Sequence, residues 1–520
     1  MNRPGALAPG ASAKARPLRF GSQGYGMRTM KTTNCSLFCM GLVVLGAGAR
    51  VHAQTATTAG TGTSATTLLY GTNPTGETGY IDALAGLAYT DNALLTSGSG
   101  KKGDGLAALG FATDYARVGN LSVNLLGNVE RLEYLNHSYS GSFYGQFNGS
   151  ALLGKNTDPL QWQLADSFGE AMTDPLQAPN PQSLQTINDV STGPRLNLHF
   201  GLRNRLILSG QYSRTTYQRA PFDSQTFQGG LDFSHALSGA AYVGLQGSFG
   251  RTEYVNLASL QQFSIGGISD FDLWQGAAVF SGTYQRAQLM LRAGYNVLDF
   301  GRGSREGEPL FQLNISRQIS PFSTVFLNAQ SSYSMNGASL GSTNAQLGLQ
   351  TSALLNPSLA VAQPFNERSG SLGWTFQRAR TTFSLSGMVD QTLYVQSGGP
   401  GLNLNHLDEG LSMTLGRQLR PRTSVQLWAR GYIDHYSQLH ARTNRESFGL
   451  SFTQTFFRLA ISFYVERNQQ SGSPGASHFV TSSYHDDRVG LFATYNFFGA
   501  QGQGASLRGI PGLSGFMGGY

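Results

Sequence analysis

Cysteine is nearly missing from this sequence. The two present, Cys35 and Cys39, both fall in the first 53 residues. Beyond them the chain has none, which excludes disulfides, thiol nucleophiles and Cys-ligated metals there. A cysteine-free chain also passes unfolded through an oxidising periplasm without cross-linking. Charge is scarce as well: Asp, Glu, Lys and Arg make up 12% of the residues, and the apolar share is 40%. A soluble domain this poor in charge would carry a larger apolar core. The remainder here is Ser, Thr, Asn, Gln and 67 glycines. That mixture suits a wall with one face in lipid and a neutral polar face in water. Long hydrophobic runs are absent too. After residue 53 no run approaches 18 apolar residues, so no membrane helix is expected.

The formal charge of +7 is concentrated at one end. Arg3, Lys14, Arg16, Arg19, Arg28, Lys31 and Arg50 occupy the first 53 residues, with no acid among them. Without those seven, 29 basic residues face 29 acidic ones. The pI near 9.3 is therefore no argument for nucleic acid as a partner.

Residues 27–54 read as a secretory signal. Arg28 and Lys31 form a positive start, Leu37 to Ala49 a short apolar stretch, and Val51-His52-Ala53 a small-residue cleavage site before Gln54. Cleavage is expected between Ala53 and Gln54. Cys39 follows Phe38, where a lipoprotein site needs a small residue, so lipidation is not expected. Residues 1–26 read as an extended positive region or a misplaced start. The expected organisation is a signal peptide over 1–53 and a flexible periplasmic leader over 54–78. A barrel follows over 79–498, then a Gly-rich tail over 499–520.

From Tyr80 onward, segments of 10–14 residues alternate apolar and polar with a period of two, the signature of a strand with two different faces. In 288–297, Leu289, Leu291, Ala293, Tyr295 and Val297 share one face, and Gln288, Arg292, Gly294 and Asn296 the other. In 424–433, Val425, Leu427, Ala429, Gly431 and Ile433 alternate with Gln426, Trp428, Arg430 and Tyr432. In 458–466, Leu459, Ile461, Phe463 and Val465 alternate with Arg458, Ser462, Tyr464 and Glu466. Such segments are long for soluble strands and fit a membrane crossing of about 9–11 residues.

The connections alternate in length. Short ones fall near 119–120, 156–159, 201–204, 237–239, 286, 320–323, 378–380, 420–422 and 457. Longer ones fall at 92–103, 171–185, 255–270, 335–366, 397–408 and 469–486. Short periplasmic turns with long outer loops are the habit of bacterial barrels. Nine short turns imply ten hairpins. The expected fold is all-β: a transmembrane antiparallel up-and-down β-barrel of about 20 strands, range 16–20. With strands, such closure pairs every peptide group inside lipid and leaves no free edge. Trp162, Trp374, Tyr212, Tyr254, Tyr295 and Tyr495 are candidates for the interfacial aromatic girdles. The last strand, 488–498, ends in aromatics, resembling the terminal signal read by barrel-insertion machinery.

Three stretches carry more than generic alternation. They are LQWQLADSFGEAMTDPLQAPNP (160–181), NDVSTGPRLNLHFGLRNRLILSGQYSRTTY (188–217) and RTEY (251–254). A W-x-L-x-D-x-F-G strand, an S-T-G-P-R-L strand start and an R-x-x-Y closure resemble the porin-like outer-membrane barrels associated with exopolysaccharide and PEP-CTERM protein-sorting systems. The match covers about 100 residues. The resemblance implies a barrel located with surface-polysaccharide genes, helping secreted material cross the outer membrane. It supplies no catalytic residues.

No enzyme is expected. His137, His199, His235, His406, His435, His440, His478 and His485 are scattered. Asp434-His435 and His485-Asp486-Asp487 lack a third group with fitting spacing and read as solvated loop residues. The Gly-rich 499–504 lacks the strand-to-helix context of a phosphate loop. No cofactor or metal is expected. The functional expectation rests on the lumen. The inward phase assigns Arg195, Arg292, Trp428, Arg430, Tyr432 and Arg458 to the interior, with Asp390, Asp434 and Glu466 opposed. Interior charge sets solute selectivity; the competing reading is that these charges pair and stiffen the wall. Arg with Trp and Tyr, as in Trp428–Arg430–Tyr432, suits sugar binding. The expected role is a pore or accessory in exopolysaccharide or surface export, in the outer membrane of a Gram-negative bacterium. The alternatives are a general diffusion porin or a plugged structural or adhesion barrel. Expected partners are outer-membrane lipid, the insertion machinery, and polysaccharide or export components.

Overall fold

Alternation becomes strand throughout. The computed structural model describes residues 77–497, apart from 156–157, 174–177, 256–268, 302–304, 335–362, 396–404, 438–439 and 474–482. The expected signal peptide with its Ala53–Gln54 cleavage site, almost all of the leader, and the Gly-rich tail lie outside the described residues.

The described residues form twenty strands. The first ten are β1 (Glu77–Thr90), β2 (Asp104–Arg117), β3 (Leu121–Tyr134), β4 (Ser142–Leu153), β5 (Leu160–Met172), β6 (Leu184–Phe200), β7 (Asn204–Tyr217), β8 (Ser224–Ser238), β9 (Ala241–Tyr254) and β10 (Phe271–Tyr284). The rest are β11 (Ala287–Asp299), β12 (Arg305–Ser320), β13 (Ser323–Ser334), β14 (Phe365–Arg378), β15 (Thr381–Tyr394), β16 (His406–Arg420), β17 (Thr423–Tyr436), β18 (Ala441–Phe456), β19 (Leu459–Ser473) and β20 (Tyr484–Asn496). Each pairs antiparallel with the next. β20 returns to β1, from Asp82↔Asn496 to Thr90↔Arg488. The sheet is closed and has no free edge, as lipid requires.

All nine short turns fall where the sequence places them. Tightness demands left-handed backbone at their tips: Gly201 has φ 69°, and Ala379 (φ 47°) and Phe457 (φ 52°) adopt it without glycine. The outer connections are less uniform than expected. Those at 135–141, 218–223, 300–304 and 437–440 span only four to seven residues.

Register fixes the size. Following partners around the wall returns to β1 displaced by about 26 residues, the shear of the barrel. With strands about 4.8 Å apart and a rise of about 3.3 Å per residue, that shear sets a tilt of roughly 42° and a backbone diameter of roughly 40 Å.

One face of every strand is apolar and exposed: Leu109, Leu160, Leu245, Leu372, Leu411 and Leu491 are examples. Aromatics bound this band. Tyr89, Phe143, Trp274 and Tyr295 lie toward the outer end, and Trp162, Tyr284, Trp374 and Tyr495 toward the periplasmic end; all are exposed. On β10, Trp274 and Tyr284 stand ten residues apart, about 25 Å along the barrel axis at that tilt, the height of a lipid-facing band. Trp162, Trp374, Tyr295 and Tyr495 thus face lipid as expected, and Tyr212 shares the phase of Leu208. Tyr254 does not. It points inward and is buried against Tyr217 and Phe271. It ends its strand, one residue past the outward Arg251–Glu253 pair, and position in the strand, not residue type, sets its phase.

Candidate functional site

The inner face is the candidate site, and its two walls differ. On β15 to β20 two inward ion pairs form, Arg445 with Asp434 and Arg488 with Asp486. Asp390, Asp408 and Asp434 form one row across β15, β16 and β17 in direct register. Like charges so placed destabilise a sheet, and the neighbouring strand answers with a cation. Arg445 of β18 donates to Asp434, both side chains almost wholly buried. Further round, Arg488 pairs with Asp486, which also accepts from Thr90 Oγ1. Glu466 lies in register with Arg488.

Large inward rings on this wall lie flat over glycine. A Cβ on Gly449 would sit 2.2 Å from the Trp428 ring, and one on Gly490 2.3 Å from the Tyr464 ring. Tyr464 also packs on Phe492 at 5.5 Å. Trp428 is 5% exposed, Tyr432 8% and Glu466 4%. These side chains are built into the wall. The Trp428–Arg430–Tyr432 run therefore does not offer open stacking faces to a sugar.

On β6 to β11 the picture reverses. Arg195 of β6, Arg205 of β7 and Arg292 of β11 face inward, half-buried. Asp232 of β8 lies within electrostatic reach of all three. Gln246 of β9 donates to Asp232 at 2.7 Å, and Arg205 Nε donates to Asn197 at 2.7 Å. These residues sit in the periplasmic half of their strands.

Of the expected lumen residues, Arg195, Arg292, Trp428, Arg430, Tyr432, Glu466 and Asp390 are on the inward phase. Arg458 is not on a strand. It lies in the β18–β19 turn with its guanidinium 5.6 Å from the Phe457 ring centre, because that turn is only two residues long. The sequence reading missed Arg205, Asp232, Asp408 and Arg445. Their alternation phase was readable for Asp408 and Arg445; Arg205 sits one residue past a turn, where phase is ill-defined.

The outer end is narrowed. Tyr217 of β7 and Tyr394 of β15 stand eight strands apart, yet Tyr394 is within electrostatic reach of Tyr217. One apolar cluster includes both Tyr217 and Val395, together with Phe222, Tyr254, Phe271 and Leu298. A circular section would hold β7 and β15 almost a diameter apart, so the rim is pinched there. Beside the pinch, two loops fold inward. Leu95 of the β1–β2 loop and Ala178 of the β5–β6 loop pack on inward Tyr484 of β20. Pro179, Asn180 and Pro181 share a narrow crevice with Thr90, Leu132, Tyr134 and Arg488. Asn92, fully buried, fastens the first loop: its Nδ2 donates to Thr96 O and to His485 O, each at 2.8 Å, and its Oδ1 accepts from Thr96 N at 3.1 Å. Arg219 donates to Pro181 O at 3.2 Å and holds the second.

The His–Asp pairs do not form a reactive group. Asp434 faces inward with Arg445, while His435 lies 4.0 Å from Glu409 on the other face. His485 contacts Lys101. Among the described residues no three His, Cys, Asp or Glu side chains are grouped to hold a metal.

No protein-family model matches the chain, and no curated protein matches it. Solved structures do. A variant of the ferric enterobactin receptor PfeA of Pseudomonas aeruginosa, in complex with enterobactin, is 10% identical over 81% of this chain and 82% of that one, with a TM-score of 0.40. The FrpB iron transporter of Neisseria meningitidis is 8% identical over 81% and 82%, TM-score 0.38. The siderophore receptor PirA of Pseudomonas aeruginosa is 12% identical over 80% of each chain, TM-score 0.36. The lipid-facing band and closed sheet of this chain make it a membrane barrel of the outer-membrane type on their own.

Proposed function

We propose that this barrel is a passage protein of the Gram-negative outer membrane, an accessory to exopolysaccharide or surface export. The observation that supports it is the asymmetry of the lumen. Unpaired cationic side chains stand in the periplasmic half, where exported material arrives, while the outer rim is pinched and overlaid by loops. A diffusion porin needs an outer mouth open at rest; this one is narrowed, which disfavours that role. The strand pattern of 488–498 fits delivery by the insertion machinery, and the exposed apolar band fits lipid as the surrounding partner.

The narrowed mouth favours a second reading, a structural barrel that passes nothing. Planar-bilayer recording separates the two. The passage reading expects a nearly silent wild type and clear unitary currents once the β1–β2 loop is released. Silence in both would leave only the structural role. In cells, deletion should reduce secreted polysaccharide without changing uptake of small neutral solutes; unchanged secretion removes the export assignment.

A further inference from the structure

We propose that Arg195, Arg205 and Arg292 form a binding site for multiply charged oxyanions, carboxylate or phosphate, carried on material entering from the periplasmic end. The inference deepens the passage reading and rests on it.

The first argument is charge. One carboxylate, Asp232, lies within electrostatic reach of three guanidiniums. None of the three lies within the 4.0 Å of an ion pair with any carboxylate of the described residues. The opposite wall shows what charges do when they merely brace a sheet: Arg445 is locked to Asp434 and Arg488 to Asp486. That bracing is missing here.

The second argument is hydrogen bonding. Asp232 already accepts from the neutral Gln246, and Arg205 Nε is engaged by Asn197. Arg195 Nε and Arg292 Nε are buried and reach no acceptor among the described residues. A half-buried guanidinium with unmet donors is costly. An oxyanion meets both needs at once, because a guanidinium fork matches carboxylate and phosphate geometry.

The third argument is room. The register row from Asp232 to β11 runs through Gln246, Ala277 and Gly294. Only one of these has a long side chain, so the wall between the arginines is low.

The test is calorimetric titration of the detergent-solubilised mature chain. The probes are trigalacturonate, tripolyphosphate and neutral maltotriose. Binding of an anionic probe but not maltotriose, weakening with added salt, is the expected result. Whichever anion binds more tightly identifies the carboxylate or the phosphate source. R195Q and R292Q should each weaken it roughly tenfold, the loss of one charge-assisted bond. D232N removes the competing carboxylate and should tighten it several-fold, which keeps the test alive if the arginine double variant does not fold. Heat-modifiable gel migration reports folding of each variant. Absence of anion binding, equal binding by R195Q/R292Q, equal binding of maltotriose, or no tightening in D232N each overturns the proposal. Titration reads binding without conduction. A barrel that binds but never conducts overturns the passage reading alone, and one that conducts but does not bind overturns only the anion site.

Discussion

Replacing Asn92 with alanine should release the roof of the barrel without unfolding its wall. Asn92 is 0% exposed, and its amide makes three bonds that tie the β1–β2 loop to itself and to β20. N92A removes all three and leaves Thr96 N, Thr96 O and His485 O without their partner. At about 1 kcal/mol net per bond, the closed loop loses about 3 kcal/mol relative to the open one. Each 1.4 kcal/mol is tenfold, so the open population rises about a hundredfold. The β1–β20 ladder from Asp82↔Asn496 to Thr90↔Arg488 is untouched, and global stability should change little. Hydrogen exchange checks this directly. The amides of Ala93, Leu95 and Thr96, which bond Lys102 O, Asn92 O and Asn92 Oδ1, should exchange about a hundredfold faster. Amides at the centre of β1 should keep their protection. Unchanged exchange at 93–96 would show that the loop is held by something else. Equal loss along the whole of β1 would show that Asn92 supports the wall and not a roof.

Three more substitutions test the walls. R445Q strands Asp434 beside Asp408 and Asp390 and should cost about 3–5 kcal/mol in urea unfolding from lipid vesicles; D434N/R445Q should recover part of that, and no recovery would mean the pair is not coupled. G449A drives a methyl into the Trp428 ring and should cost about 1–3 kcal/mol with a shift in tryptophan emission, whereas a silent variant would place the ring elsewhere. L411R, on the exposed face in mid-strand, should cost about 2–4 kcal/mol in a bilayer; a neutral result would mean that this face does not meet hydrocarbon.

The wall was legible in the sequence because its information is local. A period of two sets which face Arg292, Arg430 and Glu466 join, and the turn residues at Gly201 or Pro421 end each strand within one or two positions of the expected place. What was not legible depends on residues far apart along the chain. Trp428 is buried because Gly449, on the next strand, gives its ring a floor, so alternation alone read it as an open platform. The three arginines lie on β6, β7 and β11, and only tilt and register bring them to one carboxylate on β8. The loops carry no period, and nothing in 91–103 or 178–183 taken alone announces that both dock on Tyr484.

The distribution of paired and unpaired charge carries the functional argument. A wide barrel must fill its inner face with polar groups, and a purely structural one gains by pairing them, as Arg445–Asp434 and Arg488–Asp486 do. Arg195 Nε and Arg292 Nε have no partner among the described residues, and the proposed oxyanion would supply one. Those residues lie in the periplasmic half, below a pinched and overlaid rim, the side from which the proposed ligand would enter.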